Sequence, residues 1–374
     1  MRSSPNRLLA ADHFLLGTFA SNCSGGMSVT KVPERWDNSW ANNLRLAELL
    51  DEAGIDFMLP IARWIGYGGD TNFHGGVLET MTWAAGLLAK TRNINVFATI
   101  HTAANHPVIV AKQLATIDQI SGGRIGLNIV AGWNKPEYEA LGLKLPDDHE
   151  TRYGYAQEWF DIVEALWSRT DSFDWDGQYF KLKNVSGDPR PSTSLPILNA
   201  AGSEDGRKFA VRNADFLFTP AIDLDRSTQE VAALKQQAAN SGKSIDVLTF
   251  AHVVCRPTEK EAKDYLEHFA KTNADWDAVD NLVRLQFAHA QSFPHDLLAL
   301  IRDRMAAGHG GYPLTGTPEQ VAEGIIGIQR AGFRGVALSF VDYAEEFPYF
   351  RDNVLPILEA NGVRRSRQSA EAAE

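Results

Sequence analysis

Two polar side chains stand inside runs that are otherwise apolar: Thr99 in Val96-Phe97-Ala98-Thr99-Ile100, and Asn128 in Gly126-Leu127-Asn128-Ile129-Val130. Runs of this length and β-branched content read as buried strands, where a hydroxyl or an amide needs either a local partner or a chemical task. Taken singly, each is most simply a satisfied core residue. Taken together, they would bring two hydrogen-bonding groups to the ends of two strands. Gly132-Trp133-Asn134-Lys135-Pro136-Glu137 follows the second run at once and offers a ligand an aromatic ring, a cation and a carboxylate, although Trp133 could equally pack. Further on, Ala200-Ala201-Gly202-Ser203-Glu204-Asp205-Gly206 ends a strand and opens a helix. Small residues there let the backbone approach an anion, and the free N–H groups of a first helical turn attract it; Ser203 as a plain N-cap is the alternative. Of ten histidines, His101 and His106 are the two that their position after the Thr99 run places near the same end.

Other chemistries lack their motifs. No His-x-x-x-His or His-x-Glu with a plausible third ligand supports a metal site, and Cys23 and Cys255 are too far apart in sequence to suggest a thiolate centre or a disulfide framework. There is no G-x-G-x-x-G, Walker loop or G-x-S-x-G elbow. A net charge of −11 sets nucleic acid aside. No apolar run reaches the ~18 residues of a membrane span, and the N-terminus lacks a signal-peptide core, so a reduced, cytoplasmic protein is expected.

The elements that must carry these residues alternate almost from end to end. Eight apolar strand candidates, at 14–20, 57–61, 94–100, 125–131, 196–201, 216–221, 247–255 and 336–341, are separated by amphipathic helices. Trp40, Leu44, Ala47 and Leu50 form one helical stripe; Trp159, Ile162, Val163 and Leu166 form another. Thr317-Pro318-Glu319-Gln320 and Thr258-Glu259-Lys260-Glu261 have the form of capping boxes. Eight strands favour an α/β fold of the (β/α)8 TIM-barrel type, in one domain over 1–374 with an ordered core of about 10–362 and a flexible tail at 363–374. Stretches at 21–39, 62–78, 171–195 and 272–316 exceed simple loops and are expected as insertions at the C-terminal face of the strands, where such barrels build their sites. The glycine-rich segment 308–316 has the composition of a mobile lid or of a passive surface loop.

Three blocks, Ala111-Lys112 to Asp118, Ser121-Gly122-Gly123-Arg124 and Asn128 to Trp133, closely resemble the bacterial luciferase-like, flavin-dependent monooxygenases. The likeness runs in the same order through Arg152-Tyr153, Ala200 to Gly206, Phe209 to Asp215 and the helix opening at Gly316-Thr317. Within that superfamily the chain resembles the branch of the pyrimidine ring-opening and dimethylsulfone monooxygenases; Asn22 to Gly26 with Thr30-Lys31 favours the sulfone enzymes, and Gly132 to Tyr138 the pyrimidine enzyme. The resemblance implies a barrel that uses reduced FMN, delivered by a separate NAD(P)H-dependent flavin reductase, and O2, through a flavin N5-peroxide, on a small electrophilic substrate such as a cyclic amide or a sulfone. It implies an oxygen pocket at Leu59, Thr99 and Asn128, and flavin contacts at Ala62, Arg63, Asn128, Glu137, Arg152, Tyr153, Gly202 and Ser203. Ile61, Trp64, His101 and Trp133 are expected around the substrate, no metal is expected, and a homodimer or homotetramer is implied. Relatives that use a deazaflavin for hydride transfer, or that bind flavin without turnover, leave those two alternatives open.

Overall fold

The structure, a computed structural model, describes residues 4–286 and 295–365. Eight parallel strands close on themselves: β1 (Leu15–Phe19), β2 (Phe57–Leu59), β3 (Asn95–His101), β4 (Ile125–Val130), β5 (Ile197–Ala200), β6 (Phe216–Phe218), β7 (Asp246–Cys255) and β8 (Gly335–Ser339), with β8 returning to β1. All eight candidates therefore exist, and their order around the barrel is their order in the chain. Each is followed by a helix on the outside: α1 (Trp40–Glu52), α2 (Thr80–Leu88), α3 (Pro107–Ser121), α4 (His149–Ser168), α5 (Glu204–Asn213), α6 (Leu224–Asn240), α7 (Pro318–Arg330) and α8 (Tyr343–Asn353). Both expected capping boxes form, on α7 and on the helix Glu259–Glu267.

Strand alternation divides the core in two. Leu15, Phe57, Leu59, Phe97, Leu198, Phe216, Phe218, Leu248, Phe250 and Ala337 fill the barrel, while the intervening residues face the helices. Gly17 and Gly126 make room for this filling, since a Cβ on either would stand 2.5 or 2.6 Å from the ring of Phe57 or Phe97. Asn128 shares the inward phase of Gly126, and Thr99 that of Phe97, so both polar residues point into the barrel one layer above the phenylalanines. On the helix side, the Trp159 stripe is fully buried, but Trp40 is 43% exposed. It begins α1 beyond the reach of the core and lies instead against Gly86 of α2, whose absent side chain leaves space for the indole.

The two ends of the barrel are built differently. At the N-terminal end, the floor, Leu8 enters the interior cluster from below, Ser4–Pro5 pairs with Thr193–Ser194, and the Asn6 side chain donates to the Gly123 carbonyl. The segment 171–195 starts and ends here, between α4 and β5; its hairpin, Phe173–Asp176 with Lys181–Val185, climbs the outside of α4, where Glu158 holds the backbone of 178–180 and Phe180 meets Tyr155. It follows a helix and covers the outside of the barrel, which corrects the expectation that all four long segments are insertions at the C-terminal face of the strands. The other three do gather at that mouth. Segment 308–316 is not a free lid: Tyr312–Gly316 is a strand paired with the projecting half of β7, from Ala251 to Cys255. Its glycines serve the tight approach from the helix His295–Gly308, because a side chain at Gly308 would meet His252 at 2.4 Å. Parts of two expectations, the interior of the 272–316 insertion at 287–294 and the tail at 366–374, fall outside the described residues.

Candidate active site

Thr99 and Asn128 are register partners on β3 and β4. The Thr99 hydroxyl donates to the Pro60 carbonyl at 2.6 Å, just beyond Leu59, and accepts from Asn128 Nδ2 at 3.1 Å. This chain fixes the amide plane of Asn128 and commits one of its two N–H bonds. Asn128 Oδ1 is buried and has no partner in the protein. Such an orphan costs free energy unless a ligand or water satisfies it.

Beside this pair the loop after β2 turns back at Ala62, Arg63 and Trp64. Its shape is set by Asn22, whose side chain accepts from Ile61 N and donates to the carbonyls of Ile61 and Leu78. Arg63 Nη1 donates to Glu137 Oε2 at 3.1 Å, with side chains 5% and 0% exposed. The second carboxylate oxygen accepts from Trp64 N at 2.6 Å. The guanidinium lies 5.0 Å from the Tyr67 ring centroid and 5.3 Å from that of Trp133, so two aromatic faces and one carboxylate hold it in place. Burial pushes the Glu137 carboxyl above the usual range, against the pull of Arg63. Arg63 Nε has no partner.

A cavity of about 170 Å³ opens here, lined by Ala62, Arg63, Trp64, Glu79, Thr80, Thr99, His101 and Asn105 among others. His101 is stacked on Tyr138 at 5.9 Å, its Nδ1 unpartnered, and burial beside Arg63 lowers its pKa to about 3, so the ring is neutral. Trp64, 44% exposed, and Trp133, 36% exposed, stand at the rim.

A second group forms where β5 gives way to α5. Ser203 caps the helix, accepting from Gly206 N at 3.2 Å, and the Tyr153 hydroxyl lies beside this first turn. A side chain at Gly206 would stand 2.4 Å from that hydroxyl, whereas Gly202 faces open space. Arg152 Nη1 donates to the Gly132 carbonyl at 3.1 Å, linking this group to the loop after β4.

The sequence-predicted residues thus fall into two neighbouring sets at the mouth. Ala62, Arg63, Trp64, Thr99 and His101 share the cavity wall. Glu137, Trp133 and Asn128 stand behind it, each through a contact to Arg63 or Thr99, and Leu59 and Ile61 lie beneath. Arg152, Tyr153, Gly202 and Ser203 form the other set. His106 does not join either; it precedes α3 and sets its ring edge-on to Phe180 at 5.9 Å. Among the described residues no group of three or more His, Cys, Asp or Glu could hold a metal.

The luciferase-like monooxygenase model covers residues 15–335. The chain belongs to that family. An FMNH2-dependent dimethylsulfone monooxygenase of Pseudomonas fluorescens (strain Pf0-1) is 31% identical over 359 residues, spanning 94% of this chain and 96% of that one. A pyrimidine monooxygenase of Enterobacter sp. (strain 638) is 29% identical over 350 residues, spanning 92% and 96%. DmoA from Hyphomicrobium sulfonivorans superposes with a TM-score of 0.84 at 19% identity, over 95% of this chain and 90% of that one, a likeness of fold.

In this luciferase-like monooxygenase, sequence reasoning passed over Glu79 and Thr80, which line the cavity from the start of α2. Glu79 is the N-cap, its carboxylate accepting from Met81 N at 2.9 Å and Thr82 N at 2.8 Å. Glutamate is an uncommon cap, so the usual start signal was absent. Asn22 carried a weak signal only, as part of the Asn22 to Gly26 block.

Proposed function

We propose that this chain is the oxygenase of a two-component system, taking reduced FMN from a separate NAD(P)H-dependent reductase and using O2 to oxidise or cleave a small electrophilic substrate, a cyclic amide such as a pyrimidine or a sulfone. The cytoplasm is its place of work and a homodimer or homotetramer its assembly. The observation that carries the reading is the Pro60–Thr99–Asn128 chain, which ends in a buried, unpaired amide oxygen at the mouth of a barrel of this family.

The residues present fit the cofactor. Ser203, the open backbone at Gly202, Tyr153 and Arg152 would hold the phosphate by hydrogen bonds and the positive end of the ten-residue helix α5. The acidic first turn of α5 opposes this only in part, because Glu204 is paired to Lys208 at 2.8 Å. Asn128 Oδ1 is a buried acceptor awaiting a partner, which suits an N–H on the polar edge of a flavin ring, with Ala62 and Arg63 beside it. Reduced FMN supplies the electrons that activate O2. Thr99 aims the Asn128 amide, Leu59 keeps the floor of that pocket dry, and Glu137 fixes Arg63 in place. His101, Ile61, Trp64 and Trp133 surround the substrate, with the neutral His101 ring able to accept or donate a hydrogen bond across the physiological pH range.

Anaerobic titration with reduced and oxidised FMN, followed by O2 addition, tests this. Preferential binding of reduced FMN and substrate-dependent O2 consumption are expected; absence of reduced-FMN binding would refute the proposal.

A further inference from the structure

Charge at the cavity wall is more constrained than its polarity suggests. Arg63 is the cation that lines it, and that cation is matched by Glu137, whose carboxylate is wholly buried behind it at 3.1 Å. A second carboxylate, Glu79, stands in the wall itself, offset only in part by the two N–H groups of α2 that it caps. His101 is neutral. An anion entering the cavity therefore meets a wall with no net positive charge, and on reaching its buried inner part at Arg63, Thr99 and His101 would lose hydration without recovering it. A neutral acceptor oxygen meets a different situation. Arg63 Nε still has a hydrogen bond to give, and that donor is polarised by the guanidinium without requiring a counter-charge.

We infer that the Arg63–Glu137 pair makes this cavity selective for uncharged, oxygen-bearing substrates, with Glu137 the residue that excludes anions. The inference rests on the proposed function for the identity of the site, and adds to it which class of molecule the site rejects and which residue rejects it. Glu137 acts through Arg63, so it is a positioning and specificity residue. Removing its charge while keeping its size should leave the guanidinium held by Tyr67 and Trp133 and now uncompensated, converting the site to one that welcomes anions.

Dimethyl sulfone and methanesulfonate form a suitable probe pair, since they have nearly the same shape and differ by a methyl group against a charged oxygen. Their binding to the purified chain, measured by ligand-observed NMR with and without FMN at constant ionic strength, should favour dimethyl sulfone by at least about tenfold in the wild type, one decade for each 1.4 kcal/mol. Glu137→Gln should raise methanesulfonate affinity by about tenfold or more and narrow or reverse the preference. A role in folding alone would not move that ratio. A wild type that binds both equally, prefers methanesulfonate or binds neither overturns the inference, and this arm needs no variant. So does a folded Glu137→Gln protein with an unchanged ratio. Should that variant not fold, Arg63→Gln must weaken dimethyl sulfone without strengthening methanesulfonate, and the opposite result overturns the inference equally. Failure of the flavin reading shows separately, as loss of reduced-FMN binding, while the probe ratio is still measurable.

Discussion

Two buried arginines, one at each end of the barrel, have nearly equal exposure, 7% for Arg124 and 8% for Arg63. Arg124, at the floor where β4 begins, spends its donors entirely within the protein: Nε on Ser121 O, Nη1 on Thr91 Oγ1 and Ile94 O, Nη2 on Leu88 O and Thr91 O. Arg63, at the mouth, makes one ion pair with Glu137 and leaves Nε without a partner. The floor continues this saturation in Asp118, whose carboxylate accepts from Ser192 N, Ser192 Oγ and Thr193 Oγ1. The mouth continues its deficit in Asn128 Oδ1, His101 Nδ1 and Tyr138 Oη. Buried polar groups without partners cost stability; the floor has them at Asn95 Oδ1 and at Nε and Nη1 of Arg364, but more stand at the mouth, as expected where a fold gives up stability for ligand contacts.

The contrast can be broken most forcefully at the floor. Arg124→Met should remove five hydrogen bonds and strand their acceptors in a buried site, costing about 4–5 kcal/mol, the range reserved for disrupted buried networks. Chemical denaturation would measure it, and turnover per folded molecule should be unchanged; a loss below about 1 kcal/mol would mean that the network is not what seals the floor. At the mouth the expected balance is reversed. Asn128→Ala should slow product formation by about 100- to 1000-fold, some 2.7–4 kcal/mol of transition-state stabilisation, with a smaller loss of flavin affinity and little effect on folding. Thr99→Val should follow in the same direction, because Asn128 then loses the group that aims it. Wild-type turnover in both variants would dissolve the distinction between the ends.

How far this contrast was legible in the sequence follows the same physics. All eight barrel strands announced themselves because each is a short apolar run between helices, and the inward Thr99 and Asn128 stood out because they interrupt such runs. Arg63 was visible only through family likeness, and its pairing with Glu137, 74 positions away, was not visible at all. Sequence spacing does not report which loops meet over a barrel mouth. The segment 308–316 misled for a related reason: glycines that permit close packing against β7 have the same composition as glycines that permit motion. His106 was placed by topology alone, which fixes the loop but not the direction of a ring.

Titration sharpens the comparison on a smaller scale. His101 is driven to a pKa of about 3 by burial, with Arg63 adding to the shift, against an ordinary value of 6.5. Its folded-state pKa is depressed, so the unfolded chain takes up a proton first. The stability it contributes is full above pH 6.5 and is lost as the pH falls towards 3. At pH 5 this one ring should cost about 2 kcal/mol relative to pH 7. His252 and His309, with the same value, add in the same direction. Denaturation midpoints of wild type and His101→Gln between pH 7 and pH 5 should converge as the pH drops; parallel curves would show that the ring is not held neutral.

The smallest effect tests whether the second set of residues resembles the floor or the mouth. Ser203 is already used by the fold, as the cap that accepts from Gly206 N. Ser203→Ala should therefore lower stability by about 1 kcal/mol, as lost caps do, in addition to any effect on ligand. In the proposed function the same hydroxyl also contacts the flavin phosphate, but alongside backbone N–H groups and Arg152 that survive the change. The dissociation constant for reduced FMN should then rise by only about five- to tenfold, roughly one hydrogen bond. Isothermal titration and thermal denaturation of the one variant separate the two terms. A stability loss with an unchanged dissociation constant would make Ser203 a helix cap like any at the floor and would place the phosphate elsewhere at the mouth.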